Sequence, residues 1–78
     1  MNIIDFMEYN DLLRNFGIKL KYYRIKRNLT QEQLAEIMGS DIRYISNVEC
    51  GKRNITFKTL SKLSEALNID IHSLFDFN

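Results

Sequence analysis

The chain has 78 residues, 45% of them hydrophobic and 27% charged, with a formal net charge of +1. That length allows one small domain with no separate effector domain, and the composition excludes a disordered tail as the main state. One cysteine (Cys50) and one histidine (His72) exclude an internal disulfide and a Cys/His metal cluster, and the absence of proline favours an all-helical chain.

The first predicted helix runs roughly over 11–27, where Leu13, Phe16, Leu20 and Tyr23 recur at helical spacing and form one apolar stripe. Asn28 suits the left-handed position that ends it. Residues 1–10 hold Ile3, Ile4, Phe6, Met7 and Tyr9; they can extend this helix, form a short helix of their own, or pack as an arm. Thr30 then caps a helix over 31–38, with Gln33 completing a capping box and Leu29 and Leu34 at the hydrophobic-staple positions. Gly39 ends that helix, Asp41 caps the next, near 42–50, and Gly51 stops it. The staple recurs as Ile55, Thr56 and Leu60 before a helix at 57–67, and as Ile69, Asp70 and Leu74 before a last one at 71–76.

Two short helices across a glycine turn make a helix-turn-helix. Ala35 must be small where the two helices cross, Gly39 reverses the chain, and Ile45 and Val48 face inward against Leu34 and Met38. Ile42, Arg43, Tyr44, Ser46, Asn47 and Cys50 are left on the outside of the second helix. Charge is segregated: residues 14–31 hold six basic residues and no acidic one, and residues 42–62 hold five basic residues and one acidic one. Such patches matter more for phosphate contact than the near-zero total.

With Leu29-Thr30-Gln31-Glu32-Gln33-Leu34-Ala35 followed by Tyr44-Ile45-Ser46-Asn47-Val48-Glu49-Cys50-Gly51-Lys52-Arg53, the chain resembles the lambda-repressor/Cro-like (XRE) helix-turn-helix family. Phe16-Gly17, Arg24, Leu60, Leu63, Ala66-Leu67-Asn68-Ile69 and Leu74-Phe75 extend the resemblance over roughly residues 16–75. It implies a compact all-α, five-helix DNA-binding domain spanning 1–78, with 1–10 as an N-terminal extension. It also implies a sequence-specific transcriptional regulator whose second motif helix lies in the major groove of double-stranded DNA. Gln31 is expected on a phosphate, as helix N-termini suit anions. Arg43 is expected to read guanine and Asn47 an adenine edge, with Ser46 and Tyr44 near bases or backbone and Ile42 against a thymine methyl. Lys52, Arg53, Asn54 and Lys58 are expected on flanking phosphates. Arg24 and Glu49 stand where many members carry a buried ion pair of structural importance.

Departures from the family pattern are also visible. Ser40 replaces the usual aliphatic residue, Asp41 replaces the usual Ser or Thr cap and brings a negative charge towards DNA, and Cys50 stands where Asn is frequent. The run Gly51-Lys52-Arg53-Asn54-Ile55-Thr56 and the short length resemble the controller proteins of type II restriction–modification systems. Those are small dimeric regulators acting upstream of their own and the endonuclease gene. Small phage-type repressors and an antitoxin-like protein-interaction module on the same fold are the alternatives.

Several features have a sharp and a plain reading. The basic residues 19–27 can follow DNA or be a solvated face. Tyr22 and Tyr23 can stack on bases, although Tyr23 lies on the apolar stripe. Glu32 and Glu36 can touch RNA polymerase, as acidic residues there do in some members, or serve solubility. Cys50 reads as a small space-filling residue rather than a redox switch, and His72 as a surface or interface residue rather than a ligand. Ile69, Ile71, Leu74, Phe75 and Phe77 are more apolar than a terminal helix on a small monomer needs, which points to a homodimer contact on a near-palindromic operator; alternatively they close the monomer core. No phosphate loop, metal-ligand spacing or nucleophile–base pair is present, so no enzyme activity and no cofactor or small-molecule ligand is expected. No apolar run approaches the roughly 18 residues of a membrane span. The start of the chain lacks a basic leader, so a cytoplasmic protein with no membrane partner is expected.

Overall fold

A computed structural model describes residues 7–77. It contains four α-helices, α1 (Tyr9–Lys26), α2 (Gln31–Met38), α3 (Ile42–Glu49) and α4 (Phe57–Leu67), followed by a 3-10 segment, Ile71–Phe75. No strand occurs among the described residues. None of the helices there is long and apolar enough to cross a membrane. Of the open question at the N-terminus, Tyr9 and Asn10 join α1, while Ile3, Ile4 and Phe6 lie outside the described residues.

The helix boundaries follow from their caps. The α1 helix starts two residues before the expected Asp11, because the Glu8 carboxylate accepts from the Asp11 N–H at 3.2 Å. It ends one residue before the expected Arg27; Asn28 sits at φ 56°, and the Leu29 N–H returns to the Arg24 carbonyl. Thr30 forms the full capping box, accepting from Gln33 N–H at 3.0 Å while the Gln33 side chain accepts from Thr30 N–H at 2.8 Å. Gly39, at φ 68°, makes the left-handed stop between α2 and α3. Thr56 caps α4 through the Thr59 N–H at 3.1 Å.

The fifth expected α-helix is instead a 3-10 segment. Asp70 stands at the staple spacing but makes no side-chain cap, and the Ser73 N–H reaches back three residues to the Asp70 carbonyl. With only five residues before the backbone extends at Asp76, the segment is too short for an α-helical ladder of any length.

The core is built from Phe16, Leu20, Leu34, Ala35, Ile45, Val48, Leu60, Leu63, Leu67 and Leu74. The α2–α3 pair packs on α1 through α3 and on α4 through α2, and the 3-10 segment folds back across α1. There the Phe75 ring lies 5.4 Å from Phe16. The dimer expectation is thereby narrowed. Leu74 is 0% exposed and belongs to the monomer core, and Ile69 and Phe77 are half-buried against it, whereas Ile71 (41%) and Phe75 (42%) stay open.

Candidate nucleic-acid interface

The inner face of α3 is fixed by three kinds of contact. Ile45 and Val48 are buried in the core. Glu49 is buried against α1, where its carboxylate accepts from Arg24 Nε at 2.6 Å and from Arg24 Nη2 at 3.2 Å. Arg24 Nη1 also donates to the Leu29 carbonyl at 2.7 Å, so this structural ion pair, anticipated from sequence, ties the end of α1, the entry to α2 and the end of α3 together. Gly17 completes the seam: a Cβ there would lie 2.4 Å from the Glu49 carbonyl oxygen and 2.5 Å from that of Val48. The backbones of α1 and α3 touch where a side chain would otherwise intervene.

The outer face carries the expected readers. Ile42 and Arg43 are exposed, and Tyr44, Ser46 and Asn47 are half-buried. Arg43 is held locally. Its backbone N–H donates to Asp41 Oδ1 at 2.8 Å, its Nε to the same oxygen at 3.5 Å, and its Nη2 to Asp41 Oδ2 at 3.2 Å. These side-chain and backbone hydrogen bonds from Arg43 hold the Asp41 carboxyl below its usual range, and the hydrogen bond to Asp41 raises the Arg43 guanidinium above its own. On the other side, the Arg53 guanidinium lies 4.9 Å from the Tyr44 ring centroid, a cation–π contact. Asp41, Arg43, Tyr44, Asn47 and Arg53 together line one shallow open cleft. Lys52, Arg53, Asn54 and Lys58 are all exposed.

Other expectations fall differently. Gln31 does not point its amide freely outward; it is half-buried, and its Nε2 donates to Glu49 Oε1 at 3.0 Å. Its position at the start of α2 hid this, since the partner is eighteen residues away in sequence. Cys50 is exposed rather than filling space. Glu32 and Glu36 are exposed and share a groove with Ser40 and Ile42 at the entry to α3. Of the basic stretch 19–27, Arg24 is buried in the ion pair and Arg27 donates to the Leu67 and Asn68 carbonyls, joining α1 to the end of α4. Lys19 and Lys26 lie over the exposed Tyr22 ring, while Tyr23 packs against the core. Among the described residues, no group of His, Cys, Asp or Glu converges to hold a metal ion.

Sequence reasoning missed Phe57. It is 89% exposed at the first position of α4 and borders an apolar groove with Leu12, Leu13, Ile55 and Phe75. Its place three residues before the buried Leu60 reads as core from periodicity alone.

The sequence pattern that defines the helix-turn-helix family matches residues 20–74. The chain is 42% identical over 71 residues to control protein C.SmaI of Serratia marcescens, covering 91% of this chain and 81% of that one. Among solved structures, it is similar to the restriction-modification controller protein C.AhdI from Aeromonas hydrophila, with 40% identity, a TM-score of 0.77 and coverage of 81% of this chain and 96% of the other. It is also similar to SinR, the master regulator for biofilm formation, in a structure with DNA, at 31% identity and a TM-score of 0.73, covering 78% of this chain and 98% of the chain in that structure.

Proposed function

Because the chain belongs to the helix-turn-helix family, we propose that it is a DNA-binding transcriptional regulator that controls the genes of a restriction–modification system by occupying their operator. The observation that carries this is the two-faced α3. Its inner side is locked to α1 while Ile42, Arg43, Tyr44, Ser46 and Asn47 form one side open to a partner. An α-helix presented in this way fits the major groove.

In this reading Arg43 takes guanine O6 and N7, Asn47 an adenine edge and Ile42 a thymine methyl, with Tyr44 and Ser46 against neighbouring bases or backbone. Lys52, Arg53, Asn54 and Lys58 hold phosphates. Gln31 contributes through its backbone N–H at the start of α2. Two copies join through Ile71 and Phe75, with Phe57 extending the apolar face, and set two α3 helices about 34 Å apart on a near-palindromic site. Glu32 and Glu36, beside the entry to α3, are the surface offered to RNA polymerase.

The test is a footprint on the DNA upstream of the chain's own reading frame, which should show two symmetric half-sites. Arg43→Ala should cost about 1–3 kcal/mol of binding and relax preference at one base pair per half-site, whereas Arg53→Ala should weaken all sequences alike and reduce the salt slope by about one. Unchanged operator affinity in both variants would remove α3 from the interface. Phe57→Glu should give a monomeric mass by light scattering, and an undisturbed dimer would exclude Phe57 from the contact.

A further inference from the structure

Two arginines face the same cleft in opposite electrostatic states. The Arg53 guanidinium lies over a neutral ring, so its charge is uncompensated by Tyr44. Arg43 is matched by the Asp41 carboxylate, which engages both Nε and Nη2 while its oxygen Oδ1 also caps α3. The Nε/Nη2 edge is therefore occupied, and the terminal edge, where Nη1 has no partner among the described residues, is left open. That end-on edge fits the O6/N7 pair of guanine. The ion pair is exposed, with the Arg43 side chain 85% accessible, so it adds little to folding. Its effect is on where the arginine goes: a long cation free to swing near a polyanion moves to phosphate, which carries no sequence information. A guanidinium already neutralised and held at one edge gains little there, and less rotamer freedom is lost when it meets a base.

We infer that Asp41 is the positioning residue that makes Arg43 a base reader, holding the side edge of its guanidinium so that only the terminal fork is presented to the groove. This rests on the reading of Arg43 as a base contact, and the experiment separates the two. A pool of randomised duplexes is enriched on the intact wild-type chain, and the guanine whose preference Arg43→Ala abolishes is identified. Binding of that duplex, its three single-base variants and a mixed-sequence duplex is then measured over a range of salt for the wild type, Asp41→Ser, Arg43→Ala and the double variant. Serine keeps the cap and removes the carboxylate; Asp41→Asn, which keeps the capping oxygen, is the second variant.

The expected result is a loss of discrimination at that base pair of about fivefold or more in Asp41→Ser and Asp41→Asn. Affinity for mixed-sequence DNA should rise, and the salt slope should steepen by about one as Arg43 turns to phosphate. Both changes should shrink to the effect of removing one carboxylate when Arg43 is already alanine. Undiminished discrimination in Asp41→Ser, or the same changes in the Arg43→Ala background, would overturn the positioning role. If Arg43→Ala abolished no base preference, the reading of Arg43 itself would fail, and the positioning role with it.

Discussion

The two faces of α3 are built by opposite means. The inner face is held by long-range contacts: Ile45 and Val48 in the core, Glu49 on Arg24 of α1, and the backbone seated on Gly17. The outer face is held by shorter-range contacts, Arg43 by Asp41 and Tyr44 by Arg53, with Tyr44 also resting against the core. Interaction with distant parts of the chain makes the inner face a matter of stability. Local interaction leaves the outer face free to vary without unfolding the protein. A regulator needs this division, because its recognition surface must be able to change while its scaffold does not.

The division can be broken most severely at Glu49. Glu49→Ala leaves Arg24 buried without its counter-charge and Gln31 without its acceptor, and should cost about 3–5 kcal/mol in denaturant unfolding. Operator binding should fall with it, since α3 loses its seat. Gly17→Ala drives a methyl into two carbonyl oxygens of α3 and should cost about 1–3 kcal/mol, read the same way. At the boundary between the faces, the Ser40 hydroxyl is buried with no hydrogen-bond partner among the described residues, at the position where an aliphatic residue is usual in the family. Ser40→Ala should raise stability by about 1 kcal/mol, seen as a higher denaturant midpoint with an unchanged slope. On the outer face, Arg53→Ala should move stability by no more than about 0.5 kcal/mol while altering DNA affinity. A large loss of stability there would erase the contrast.

The same division governs what could be read from the sequence. Thr30 and Thr56 announced α2 and α4 because a cap and a staple are local devices, complete within six residues. Asp70 showed the same spacing but closes only a 3-10 turn, because the chain after it is too short to propagate a helix. The outward residues of α3 were legible once Ile45, Val48 and the ion-paired Glu49 were set on the inner side, since helical periodicity turns Ile42, Arg43, Ser46 and Asn47 away from them. The bond from the Gln31 side chain to Glu49 was not legible because its partner lies across the fold, nor was the burial of Leu74, because periodicity shows that a residue is apolar without showing whether its own core or a second copy covers it. The Asp41–Arg43 bond lies two residues apart and was still missed, because the capping role of Asp41 seemed to account for it fully.

The seat of α3 has a consequence for the nucleic acid rather than for the protein. Gly17 lets the last residues of α3, Val48 and Glu49, rest directly on α1, and two residues further on Gly51, at φ 74°, lies so close to α1 that a Cβ would come within 2.9 Å of the Arg14 Cα. A helix seated this closely at its C-terminal end has little room to swivel and follow an irregular groove, so misfit is taken up by bending or twisting of the duplex. Base pairs that no side chain touches should then influence affinity through their stiffness, with pliant pyrimidine–purine steps favoured wherever the helical ladder must yield.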